Sequence, residues 1–188
     1  KTVYPVASCN DQDFKNLMDV YMDAVFHPNI YHDPAIFMQE GWHYEVESRE
    51  GDLTINGVVY NERKGGCSAP DDVVNREILN SLFPDNTYSV ESGGDPKVIP
   101  ELTYEDFLGF HKKYYHPCNS YIYLYGNMDM DERLDYLDRE YLSKYDKIEV
   151  DFEIKEQEPF TRPRAVDKTY PIASAEDERD APALAYTF

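Results

Sequence analysis

Few side chains in this sequence could do chemistry: five histidines, three cysteines and a large excess of carboxylates. A transition-metal site needs imidazole, thiolate or carboxylate donors at matched spacing. His27 and His32 flank a turn and have no such partner. His43 and Glu45 alternate along an extended stretch and so face one way, but no third donor accompanies them. His111 and His116 stand five apart, off the i, i+4 spacing that aligns two ligands on a helix. No His-x-x-Glu-His pattern occurs. Cys9, Cys67 and Cys118 form no CxxC pair and read as reduced, buried thiols. Ser92-Gly93-Gly94-Asp95-Pro96 is a glycine loop with no GK[ST] after it, so it is a tight turn and not a phosphate cradle. Glu62, beside Lys64 and taken alone, is a solvated surface acid.

The elements that must position these residues follow from pattern. Asn10 caps a helix whose apolar face is Phe14, Leu17, Met18, Tyr21 and Val25, ended by Pro28. Asp33-Pro34 starts a short second helix, and Trp42 to Val46 is extended. In the stretch Ile55 to Gly66, Asn56-Gly57 makes a turn. Val58, Val59 and Tyr60 favour extended or buried packing, Glu62 follows, and Gly65-Gly66 release the chain. Pro70 opens a helix carrying Val73, Val74, Ile78, Leu79 and Leu82. Thr103 and Asp106 form a capping box for a helix through Tyr114. Tyr121 to Tyr125 reads as a buried strand, and Asp129 to Lys147 as a charged helix with Leu134, Leu137, Tyr141 and Leu142 inward. Thr2 to Ser8 looks like a strand, and the chain starts without Met, which predicts a piece of a longer polypeptide. Residues 149–170 lose periodicity and read as a linker arm. Residues 171–188 read as the truncated start of a further domain. Helices and strands mix without βαβ regularity, so the class is α+β.

The 188 residues suit one domain or slightly more, and 41% hydrophobic residues can build a core. With 37 acidic against 18 basic side chains, the net charge of -19 argues against nucleic-acid binding and would favour cationic ligands. No apolar run reaches the ~20 residues of a membrane span.

Seven ordered blocks resemble the presequence protease branch of the insulinase/pitrilysin zinc metallopeptidases. They are Thr2-Val3-Tyr4-Pro5-Val6-Ala7-Ser8, Asp19-Val20-Tyr21-x-Asp23-Ala24-Val25-Phe26-x-Pro28, Gln39-Glu40-Gly41-Trp42-His43-Tyr44-Glu45 and Gly57-Val58-Val59-Tyr60-Asn61-Glu62. The remaining three are Phe83-Pro84-Asp85-Asn86-Thr87-Tyr88, Ser92-Gly93-Gly94-Asp95-Pro96-Lys97 and Tyr115-His116-Pro117-x-Asn119. The resemblance implies a two-layer sandwich of a mixed β-sheet packed against helices, with residues 1–148 as the C-terminal part of the zinc-peptidase domain. It also implies that Glu62, in its Val-Val-x-Asn-Glu block, is one zinc ligand. The two His ligands and the general base lie on a His-x-x-Glu-His helix upstream. Three protein ligands leave one zinc position for a water whose pKa falls to about 7.

On that reading no catalytic residue lies in these 188, the zinc site is incomplete, and the chain alone is inactive. The edge strand that holds substrate would precede Lys1. Partners would be unfolded peptides, basic ones among them, and the remaining domains of the same polypeptide. The compartment would be cytoplasmic in a bacterium and a mitochondrial or plastid matrix in a eukaryote. The family usually has Met after the ligand Glu, where this chain has Arg63, so packing around the ligand differs from the family's. The alternatives are a catalytically inert insulinase-like structural domain and an acidic peptide-binding module.

Overall fold

Asn10 sets the first helix, α1 (Asp11–Phe26), by accepting a hydrogen bond from the Asp13 amide, one of the donors a helix start leaves open. The computed structural model describes residues 2–67, 69–170 and 182–187. In chain order α1 is followed by α2 (Ala35–Glu40), β1 (His43–Glu45), β2 (Thr54–Asn56), α3 (Val58–Gly66), α4 (Pro70–Leu82), α5 (Tyr104–Tyr114) and α6 (Met130–Glu140). The fold is mainly helical with one antiparallel strand pair among the described residues, which makes it α+β. The chain divides into two units, Lys1–Pro34 with Thr103–Asp151, and Ala35–Leu102 with Phe152–Phe188.

The first unit contains α1, α5 and α6. Thr103 and Asp106 complete the capping box of α5, each side chain bonding the other's backbone amide. Met18, Phe26, Leu137 and Tyr141 are buried. The α6 pattern is corrected in two ways. The helix ends at Glu140, well short of Lys147, and Leu134 is 53% exposed while its neighbour Arg133 is only 2% exposed. Arg133 donates to Asp11 Oδ1 at 2.5 Å and lies 3.3 Å from Glu132, so an ion pair occupies the place expected of an apolar side chain. A buried guanidinium stripped of a partner is destabilising. Asp11→Ala is therefore expected to cost about 2 kcal/mol of local stability, read as faster amide exchange in α1 and α6.

Asp19 joins the same helices. Its Oδ1 accepts from Tyr136 at 2.5 Å and from Tyr141 at 2.6 Å, and its carbonyl accepts from Tyr141 at 2.9 Å. These phenol donors hold the Asp19 carboxyl below the ordinary range. Asp19's hydrogen bond pushes Tyr136 up to about 12, and burial first, then Asp19, raises Tyr141. A lowered carboxyl stabilises the fold above its unfolded pKa of about 4, and that contribution is lost as pH falls through the lowered value. Raised phenols act oppositely: their contribution is complete below about pH 10 and is lost as pH rises toward the folded values. Tyr141→Phe is expected to cost about 1–2 kcal/mol near neutrality and Asp19→Asn to flatten the acid limb, both measured by amide exchange of α1 against pH.

Two expected strands do not form. Thr2 to Ser8 and Tyr121 to Tyr125 carry no ladder, and Tyr121, Tyr123 and Tyr125 are exposed. Extended backbone becomes a strand only through a partner's N–H and C=O groups. Cys9 and Cys118 are also exposed, against the expectation of buried thiols.

In the second unit, β1 and β2 pair antiparallel in the register His43–Asn56, Tyr44–Ile55 and Glu45–Thr54. The extended reading of Trp42 to Val46 therefore holds in its middle. Pro70 stands at the start of α4, where its missing N–H costs nothing, and Val73 is that helix's buried residue. No described helix is long and apolar enough to cross a membrane. Residues 149–170 have neither helix nor strand. Of the expected further domain at 171–188, positions 171–181 and 188 lie outside the described residues.

Candidate metal centre

Glu62 sits on α3, not at the end of an extended stretch as its β-favouring neighbours suggest. Tertiary contacts override the weak strand preference of Val58, Val59 and Tyr60. The helix starts at Gly57, whose φ of +150° suits glycine, and a Cβ there would stand 2.7 Å from the Cα of Trp42. That close approach lets the Tyr60 amide donate to the Gly41 carbonyl at 3.3 Å, joining α3 to the end of α2. Arg63 and Lys64 lie in the last turn, where cations meet the negative end of the helix dipole.

The Glu62 side chain is exposed, and among the described residues no hydrogen bond or ion pair holds its carboxylate. Both its neighbours are anchored. Asn61 Nδ2 donates to Asn56 Oδ1 at 2.6 Å, the same oxygen accepts from the Gly57 amide at 2.8 Å, and Asn56 Nδ2 donates to Glu45 at 2.6 Å. On the other side Arg63 reaches Glu91 at 2.8 Å and the Gly94 carbonyl at 3.2 Å. Pattern reasoning missed Asn56 and Arg63 as parts of this arrangement. The available signal was a glycine at a helix start followed by basic residues one turn on.

Four of the five histidines make hydrogen bonds of their own. His43 donates from Nδ1 to the Met38 carbonyl at 2.7 Å. His111 donates from Nε2 to the Val25 carbonyl at 2.8 Å and accepts from the Tyr31 hydroxyl at 2.7 Å. His27 contacts Asp23 through Nδ1 and Tyr145 through Nε2, each at 3.1 Å. His116 accepts from the Cys118 amide at 3.2 Å. These bonds tie the rings to the backbone and to local partners. No group of three His, Cys, Asp or Glu among the described residues could hold a metal. Glu62 also lines neither of two open clefts of about 510 and 450 Å³. A free, oriented carboxylate fits zinc as one oxygen donor, but one donor is not a site.

The comparisons give this arrangement its family. A family model described as "Peptidase M16 inactive domain" matches residues 101–188, a stretch that leaves Glu62 outside it. The chain is 56% identical over 177 residues to Protein HypA of Clostridium perfringens, covering 94% of this chain and 18% of that protein. It is 47% identical over 173 residues to Presequence protease 1, chloroplastic/mitochondrial, of Arabidopsis thaliana, covering 91% and 16%. Presequence protease, mitochondrial, of Drosophila melanogaster is 46% identical over 170 residues, covering 88% and 16%. The chain belongs to the M16 peptidases, the insulinase/pitrilysin family. Within that family its likeness is to the presequence proteases, of whose length it spans less than a fifth.

Proposed function

We propose that this chain is part of a zinc-dependent endopeptidase that degrades unfolded peptides, and that Glu62 supplies one zinc ligand. The observation carrying this reading is a free carboxylate on α3, braced through both neighbours, in a chain 46–47% identical to two presequence proteases. Two histidines and the general base come from a His-x-x-Glu-His helix elsewhere in the longer polypeptide, so these residues alone are inactive. When bound, zinc supplies an activated water for attack on a peptide carbonyl. The chain's own part is to place one anionic oxygen and hold its direction. The net charge of -19 suits basic peptide substrates.

In this reading the short β1–β2 pair is the local part of a larger mixed sheet, packed against helices as a two-layer sandwich. Residues 1–148 then finish the peptidase domain, 149–170 form the arm, and 171–188 begin the next domain. The compartment follows the host: cytoplasm in a bacterium, mitochondrial or plastid matrix in a eukaryote. A second reading, an inert structural domain, is favoured by the match of residues 101–188 to a family model described as inactive. Metal analysis of the full-length polypeptide, with cleavage of an unstructured basic peptide before and after chelation, separates the two. Bound zinc with chelator-sensitive cleavage is expected. A metal-free protein that binds the peptide uncut would establish the inert reading.

A further inference from the structure

We propose that Arg63 is a positioning residue: it clamps the loop Glu91 to Asp95 against α3 and so fixes the direction in which Glu62 presents its carboxylate. This rests on the reading of Glu62 as a ligand. Arg63 and Glu91 are 24% and 26% exposed and meet at 2.8 Å. The Arg63 Nε–H donates to the Gly94 carbonyl at 3.2 Å, and a terminal N–H donates to Cys67 Sγ at 3.2 Å. One planar guanidinium thus spends its fork on three partners, which a lysine ammonium could not do in the same geometry.

The loop is shaped to receive it. A Cβ on Gly93 would stand 2.8 Å from Cζ, Nε and Nη1 of Arg63, so the guanidinium lies directly against that glycine's backbone. Gly94 follows at φ +91°. The Asp95 carbonyl then accepts from the amides of Val98 at 2.8 Å and Ile99 at 2.9 Å, and Ile99 is 5% exposed. The clamp therefore runs from α3 through Arg63 and the loop to a buried anchor.

Helix geometry makes this matter for Glu62. Successive side chains are about 100° apart, so holding Arg63 inward turns Glu62 outward. With side chains about 5–6 Å from the axis, a helix rotation of ~20° would swing a carboxylate about 2 Å. Metal–ligand distances tolerate only about 0.2 Å.

The test uses the full-length polypeptide with Arg63→Met, Arg63→Lys, Gly93→Ala and Glu62→Gln. Gly93→Ala keeps the arginine but pushes it from its seat. Zinc retention is titrated against a chelator, and amide exchange is followed at residues 91–95. Arg63→Met and Gly93→Ala are expected to weaken zinc retention about 10-fold, the lower end for partners that orient a ligand, and to speed loop exchange. Arg63→Lys, which still faces Glu91, should restore part of both. Unchanged zinc in Arg63→Met and Gly93→Ala, with loss in Glu62→Gln, would overturn the positioning role and leave the ligand reading standing. Weakened zinc without faster loop exchange would also overturn it, because the effect would not pass through the clamp. Zinc retained by Glu62→Gln would remove the ligand reading, and the inference with it.

Discussion

Glu62→Gln in the full-length polypeptide is expected to lower zinc affinity by more than about 100-fold, since even groups that only orient a ligand are worth 10–100-fold. Glutamine keeps the shape of the side chain and removes its charge. The amide oxygen is a poor substitute where the metal's own charge must be partly neutralised by a carboxylate. The same change should leave the fold alone. Glu62 is exposed, lies in the middle of α3, and among the described residues makes no hydrogen bond or ion pair that a neutral side chain would lose. Surface substitutions of that kind stay within about 0.5 kcal/mol. Competition with a zinc indicator gives the affinity, and amide exchange across α3 gives the local stability. Metal loss with unchanged exchange would assign the effect to coordination. Unchanged metal affinity would mean that the carboxylate is the solvated acid that its bare context suggests.

The contrast between helices and strands shows which parts of this fold a sequence can carry by itself. A helix start is specified within about four residues. Asn10 bonds the Asp13 amide, Thr103 and Asp106 bond each other's backbone, and Asp129 bonds the Glu132 amide. Those signals needed nothing distant, and α1, α5 and the start of α6 follow them. A strand is defined by its neighbour instead. Tyr121 to Tyr125 alternates in sequence, yet Ile122 is exposed along with the tyrosines, and Tyr123 lines the same groove as Ile122 and Leu124. No partner ladder closes on it among the described residues. Arg133 was illegible for a related reason: its burial depends on Asp11, 122 positions away in sequence. Glu62 could be singled out only through the family likeness, because taken by itself it is an exposed acid on a short helix. The bracing by Arg63 was hidden because it acts on a loop about thirty residues on, and that by Asn61 because it needs α3, a helix its β-favouring residues did not announce, to start beside Asn56.

Gly57→Ala is expected to destabilise α3 locally by about 3 kcal/mol or more, the range for combined backbone strain and a forced backbone shift. The φ of +150° is one that side-chain-bearing residues rarely adopt. The space is closed as well. The new methyl would meet the Trp42 Cα at 2.7 Å and the Gly41 carbonyl oxygen more closely still, and both are backbone atoms with no rotamer to yield. Relief requires moving the Gly41 segment away, which breaks the Tyr60 amide to Gly41 bond and loosens the Gly57 amide from Asn56. Gly65→Ala, on the same helix, is the matched control. Nothing lies within 4 Å of its Cβ position, and a helical alanine should gain about 0.5–1 kcal/mol over glycine. Amide exchange of residues 58–66 reads both changes against the parent. Opposite signs are expected from the two glycines, eight positions apart: Gly57 lets α3 begin against Gly41, whereas Gly65 stands near the helix end with open space at its Cβ position. If Gly57→Ala leaves exchange in α3 unaltered, the helix does not start against that carbonyl. The aim of Glu62 would then have to be set by Arg63 and its loop alone.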